Sequence, residues 1–69
     1  MSLEGISEAI MLVFDTLMND SESADILEGI DSAGTDDELR DVLRVAIVRL
    51  DTYNPSVAKI AREKLRGFI

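Results

Sequence analysis

The sequence predicts an all-α fold, a small bundle of four helices arranged as two packed helical hairpins. Apolar residues recur at spacings of three and four along four stretches of the chain, which is the pattern of helices that bury one face. Helix-capping residues and one proline separate these stretches. With 69 residues, the chain is long enough for one domain only. We therefore expect one helical domain over 1–69, with hairpins at about 3–33 and 35–69.

The first helix is predicted over about 3–18, with Ser2 as its N-cap. One face carries Ile6, Ile10, Val13, Phe14 and Leu17. Further apolar residues widen this face, namely Ala9, Met11, Leu12 and Met18. We therefore expect this helix to be covered on more than one side.

The second helix is predicted over about 22–32, after the capping residues of the segment NDSESAD. Its apolar side consists of Ala24, Ile26, Leu27 and Ile30. Gly29 lies inside it at a cost of roughly 1 kcal/mol relative to alanine. Gly34 is expected to adopt the left-handed conformation that ends many helices.

The third helix is predicted from a capping box, in which Thr35 is followed three residues later by Glu38. Asp36 and Asp37 fill the first turn, where the helix dipole favours anions. Its main apolar stripe is Leu39, Val42, Leu43, Ala46 and Leu50, and Val45, Ile47 and Val48 make it apolar nearly all round. We expect it to be the central and most buried helix.

The fourth helix is predicted to begin at Pro55, with Asn54 as its N-cap. Its buried positions are expected to be Val57, Ile60, Ala61, Leu65 and Phe68, and its solvent side Lys59, Arg62, Glu63 and Arg66. The apolar positions of the first half match those of the second at an offset of 33 residues. Either a tandem repeat of two helical hairpins or two unrelated amphipathic helices in similar register would produce this match.

The segment NPSVAKIAREKL, residues 54–65, resembles the start of the second helix of a HEAT-type repeat. A proline turn leads there into a valine, an alanine four residues later and a leucine eight residues later, here Val57, Ala61 and Leu65. Ala58 and Lys64 stand where that pattern has a basic and a small residue. The resemblance implies a helical-hairpin scaffold that binds other proteins and has no catalytic activity.

Charge is divided unevenly along the chain. Residues 1–39 contain eleven acids and no base, whereas residues 40–69 contain seven bases and three acids. The net charge of −7 argues against direct binding to nucleic acid or to anionic membrane, because phosphate contacts are supplied by Lys and Arg. It favours solubility or a basic protein partner.

The residue inventory argues against catalysis and metal binding. The chain has neither cysteine nor histidine, which removes disulfides, thiolate nucleophiles, the usual zinc ligands and the commonest general base. A calcium loop beginning at Asp20 lacks the required spacing, since it offers Glu22, Ala24, Asp25 and Asp31 at the key positions. Asp36 and Asp37 are read as helix-capping residues in preference to a loose magnesium contact. We expect no enzyme activity, no cofactor and no specific metal site.

The apolar runs AIMLVF and VAIV are far shorter than the roughly 20 residues of a membrane span. The first charged residue is Glu4, whereas a secretory signal begins with a basic region. These features, together with the lack of cysteine, predict a cytoplasmic protein without a membrane segment.

The function predicted from these features is a small protein-interaction or regulatory module that binds a basic or apolar protein surface. Its candidate partner-binding residues are Glu4, Glu8, Asp15, Glu22, Asp25, Glu28 and Tyr53. Met1, Met11 and Met18 form either an adaptable binding face or an ordinary core or dimer seam. One alternative is a self-assembling structural protein whose acidic front half contacts the basic last helix of another copy. Another is a nucleic-acid mimic that inhibits a nucleic-acid-binding protein.

Overall fold

Four α-helices form the part of the chain that the computed structural model describes, which is residues 3–69, with side chains from Gly5 onward. The helices are α1 (Leu3–Leu17), α2 (Ala24–Ser32), α3 (Asp36–Tyr53) and α4 (Pro55–Lys64), and a 3₁₀ turn, Ser21–Ser23, precedes α2. They pack against one another, and no strand is present within these residues. The predicted all-α bundle is therefore confirmed. The expectations for Met1 and for Ser2 as the N-cap of α1 lie outside the described residues, as does the side chain of Glu4.

The helix α3 contacts all three other helices, as expected of a central helix, but the prediction that it is the most buried helix is wrong, because more than half of its residues are exposed. It packs against α4, α2 and α1, whereas α2 packs mainly against α3. The most extensive helix contact joins α1 with α4. Alanine side chains are small enough to let two helices pack closely. Ala9 of α1 and Ala58 and Ala61 of α4 are all fully buried at the core. None of the helices in residues 3–69 is both long and apolar enough to cross a membrane.

One apolar core unites all four helices. Its buried residues are Ala9, Val13, Leu17, Ile30, Leu43, Ala46, Ile47, Leu50, Ala58, Ala61 and Leu65. Most of these lie on the faces that the apolar spacing predicts. The face of α4 is rotated from the expectation, because Ala58 is fully buried and Ile60 is 44% exposed.

Two helix faces that the sequence predicts to be buried are exposed instead. The outer side of α1 is open to solvent, with Met11 65% and Met18 61% exposed. The outer side of α3 is open as well, with Val45 56% and Val48 68% exposed. The reason is the size of the bundle, since four short helices surround one core and each retains an outward face.

The predicted N-caps of α3 and α4 are confirmed. Thr35 Oγ1 accepts a hydrogen bond of 3.2 Å from the Glu38 N–H, and Asn54 Oδ1 accepts one of 3.3 Å from the Val57 N–H. Pro55 occupies the first turn of α4. The Glu38 carboxylate accepts from the N–H of Gly34 at 3.4 Å, so the return bond of the capping box reaches the residue before the N-cap.

The prediction of a left-handed stop at Gly34 is wrong. The helix α2 ends at Ser32, and its C-cap Ala33 is extended, with φ −60° and ψ 123°. Within the described residues the only positive φ belongs to Gly67, at 89°. The fourth helix is also shorter than its predicted buried positions imply, since those run to Phe68. The chain turns after Lys64, where α4 ends.

The C-terminal turn is held against α3 by one arginine. Arg40 Nε donates a hydrogen bond of 2.6 Å to the carbonyl oxygen of Phe68. The guanidinium carbon also lies 4.8 Å from the centroid of the Phe68 ring, within the range of a cation–π contact. The apolar side chain of Phe68 thereby packs against the core although it lies beyond the end of α4.

Gly29 has a packing role that offsets its low helix propensity. A Cβ atom at this position would lie 2.8 Å from Cγ2 of Val42 on α3. That separation is too short for two carbon atoms. The missing side chain therefore lets α2 approach α3, the helix against which it mainly packs.

Candidate interaction surface

The outward face of α1 carries an alternating row of acids and methionines. Glu8, Met11, Asp15 and Met18 follow one another at spacings of three, four and three residues, and all four are exposed. Met18 directly follows the last residue of α1, and its N–H still donates to the Phe14 carbonyl at 2.9 Å. The spacing therefore places the four side chains in one stripe. We call these four residues the α1 stripe. The opposite face of the helix, with Ala9, Val13 and Leu17, lies in the core.

The two acids of the α1 stripe differ in their surroundings. Lys64 Nζ on α4 lies 2.8 Å from Oε2 of Glu8. The hydrogen bond from Lys64 and its charge hold the pKa of the Glu8 carboxyl below its usual range. By contrast, Asp15 has no ion-pair partner among the side chains of residues 5–69. Its charge is therefore uncompensated at the centre of the stripe.

The acids around α2 also face solvent. Asp25 and Glu28 are exposed, and no cation of the described side chains pairs with them. Since they are three residues apart in one helix, they are neighbours on its surface. Glu22, just before α2, is exposed but lies 3.1 Å from Nη2 of Arg49.

The structure reveals a polar cluster around Asp20 that sequence reasoning missed. The Asp20 carboxylate accepts hydrogen bonds from Ser23 Oγ at 2.6 Å, from the Glu22 N–H at 3.2 Å and from Arg49 Nε at 2.6 Å. The side chain is only 7% exposed. The hydrogen bonds from Arg49 and Ser23 hold the pKa of Asp20 far below its usual range.

This cluster fixes the start of α2 to the centre of the bundle. Asp20 is the N-cap of the 3₁₀ turn, and Arg49 belongs to α3, so the ion pair joins residues far apart in the chain. A capping signal was present in the sequence, because Asp20 is followed three residues later by Ser23. The partner Arg49 could not be recognised, since nothing local links it to Asp20. Two of the acids considered for a calcium loop, Asp20 and Glu22, thus bind a guanidinium group instead.

Much of the basic charge is neutralised inside the fold. Four ion pairs, made by three cations, join the acidic front half to the basic back half, namely Lys64 with Glu8, Arg49 with Asp20 and with Glu22, and Arg40 with Asp37. Two more lie within the back half, Arg62 with Asp51 and Arg44 with Asp41. Lys59 and Arg66 have no ion-pair partner among the described side chains. The uncompensated charge on the described surface is therefore mainly negative.

The candidate residues from the sequence fall into three places. Glu8 and Asp15 lie on the α1 stripe, whereas Glu22, Asp25 and Glu28 lie on the 3₁₀ turn and α2. Tyr53 is the last residue of α3 and is 41% exposed. Comparison of the chain with protein-family models, with curated proteins and with solved structures finds no match in any of the three.

Proposed function

We propose that this chain is a small acidic module that binds a basic surface of another protein and performs no catalysis. The observation that carries the proposal is a set of exposed front-half acids without an ion-pair partner among the described side chains, which includes Asp15, Asp25 and Glu28 together with Asp31 and Asp36. The front-half acids at 8, 20, 22 and 37 already stabilise the fold through Lys and Arg. Asp15, Asp25 and Glu28 are available to a partner.

Such acids act mainly on the rate and selectivity of association. A net charge of −7 on a chain of this size attracts a basic surface over about one Debye length, roughly 8 Å at physiological ionic strength. The same field repels acidic proteins and nucleic acid. We therefore expect affinity for basic partners that declines as salt is added.

The test compares two glutamates that differ in position but not in kind. Glu28 on α2 and Glu63 on α4 are both exposed, and neither has an ion-pair partner among the described side chains. Partners are captured on the immobilised chain and purified, and their association rate constants are measured by stopped flow for wild type, E28Q and E63Q. We expect E28Q to lower the rate constant by about twofold or more at low salt, and E63Q to change it less.

Two results would contradict this function. One is an association rate that does not depend on ionic strength. The other is an equal effect of E28Q and E63Q, which would mean that only the total charge matters and that the acidic front half forms no recognition surface.

A further inference from the structure

The α1 stripe has the pattern of one side of a helix-to-helix contact. Residues at alternating spacings of three and four form the seam along which two helices pack. In this stripe Met11 and Met18 are two turns apart, about 10 Å along the helix axis. A single exposed apolar side chain is common on protein surfaces, but here two long ones lie in register on one face, 65% and 61% exposed.

We propose, resting on the function above, that the α1 stripe is the docking site and that its occupant is a cationic amphipathic helix of a partner protein. Helices that dock on such a face present apolar anchors at the same three and four residue intervals. Methionine side chains are flexible and polarisable, so they adapt to anchors of different shapes. The partner helix supplies leucine-like residues against Met11 and Met18 and Lys or Arg between them.

Charge complementarity selects this occupant. Asp15 lies between the two methionines and has no ion-pair partner among the described side chains. Glu8 lies one turn before Met11 but is already paired with Lys64, so the Asp15 carboxylate is the acid of the stripe that is left for a partner cation. A neutral helix would bury the Asp15 carboxylate without compensation and an acidic helix would be repelled by it, in both cases at a cost in binding free energy.

A second copy of the chain fits the stripe less well. Each copy carries a net charge of −7, so two copies repel each other. The exposed valines of α3, Val45 and Val48, are accompanied by Asp41 as well as Arg44, and Arg62 and Lys64 of α4 are already engaged in ion pairs. On α4 the unpaired cation is Lys59 alone and the exposed large apolar residue is Ile60 alone. No helix of residues 3–69 therefore offers the alternating basic and apolar row that the stripe requires.

The proposal is tested with two synthetic peptides of about 14 residues, or four turns. The first places Leu and Lys alternately along one helical stripe at spacings of three and four. The second has the same composition, rearranged so that no stripe forms. Affinity is measured by fluorescence anisotropy for wild type, for M11Q/M18Q and for the control V45Q/V48Q, which also replaces two exposed apolar residues. Circular dichroism verifies that both variants keep their helices.

We expect the striped peptide to bind wild type more tightly than the rearranged peptide. We expect M11Q/M18Q to raise its Kd about tenfold, because apolar anchors carry most of the affinity of such contacts, and V45Q/V48Q to leave it nearly unchanged. D15N should raise the Kd of the striped peptide by about threefold or more at low salt, and this difference from wild type should disappear at high salt.

Failure of this inference is distinguishable from failure of the proposed function. Equal, salt-sensitive binding of both peptides, or an equal loss in M11Q/M18Q and V45Q/V48Q, would overturn the docking site and leave the acidic module intact. No binding of either peptide at low salt would contradict both. Salt-independent dimerisation of the chain that M11Q/M18Q abolishes would assign the stripe to a second copy and overturn the cationic helix.

Discussion

At the scale of single residues, Asp20 shows how this chain uses a carboxylate as a structural group. Three donors surround it, two of them at 2.6 Å, and the short hydrogen bonds to a charged acceptor are of the strong kind. Burial alone would raise the pKa of this carboxyl, but the hydrogen bonds from Arg49 and Ser23 outweigh burial and lower it. A neutral form of Asp20 would lose most of this advantage.

The lowered pKa of Asp20 makes stability depend on pH in the acidic range. An unfolded aspartate has a pKa of about 3.9, and the folded value lies below it. Between these two values the unfolded state binds more protons than the folded state, so stability rises with pH. The contribution of Asp20 is therefore complete above the ordinary carboxyl pKa and is lost as the pH falls toward the folded value.

We expect urea denaturation from pH 6 down to pH 2 to show a fall in the free energy of unfolding below about pH 4. D20N should be less stable than wild type at neutral pH and should lose less stability on acidification. S23A removes one of the hydrogen bonds to the carboxylate. Its free energy of unfolding at neutral pH should lie between those of wild type and D20N. Identical pH profiles for wild type and D20N would exclude this role of Asp20.

At the scale of elements, the pairing of α2 with α3 depends on the contact between Gly29 and Val42. The side chain of a β-branched residue in a helix has one strongly preferred rotamer, so Val42 cannot readily move away from an added Cβ. We expect G29A to destabilise the protein by about 1 kcal/mol, because overpacking outweighs the gain in helix propensity. In a V42A background the same substitution should stabilise by up to about 1 kcal/mol.

A double-mutant cycle by urea denaturation measures this change of sign. G34A is the matched control, since a Cβ at Gly34 would have no neighbour within 4 Å, and it should be neutral or slightly stabilising. Equal stabilisation by G29A in the wild-type and V42A backgrounds would contradict this account. It would mean that the close approach of α2 and α3 does not require glycine at position 29.

The existence of the four helices was predictable because their determinants are local. Thr35 and Asn54 cap their helices as the sequence predicts. The sequence carries one local stop signal for α4, Gly67, which adopts a positive φ of 89°. The hydrogen bond that Arg40 of α3 donates to the carbonyl of Phe68 was not predictable, because nothing local links the two residues. The exposure of Met11 and Val48 was not predictable either, since apolar spacing shows which residues share a face but not how many faces the bundle covers.

The apolar register of the two halves persists in the fold. Val13 and Leu17 of α1 are buried, and so are Ala46 and Leu50 of α3, which follow them at the offset of 33 residues. Equivalent positions thus supply the core from both helices. A tandem repeat of two helical hairpins and two unrelated amphipathic helices in similar register both stay predictions for the origin of this match.

At the scale of the whole molecule, the uneven charge of the sequence has two consequences. Part of the acidic front half pairs with Lys and Arg of the back half and holds the bundle together. The other part is exposed on α1 and α2 of a chain with a net charge of −7 and would attract the basic partner that we propose. The candidate acids were predictable from the sequence, but their division between these two roles depends on long-range contacts that only the fold defines.

The most direct test of the binding site is a titration of the ¹⁵N-labelled chain with the striped peptide, followed by two-dimensional NMR. We expect the largest shifts of backbone amides along α1, between Glu8 and Met18, with smaller ones at Glu22 and little change at Val45 and Val48. Shifts concentrated on the outer face of α3, or spread evenly over all charged surfaces, would contradict a docking site on α1.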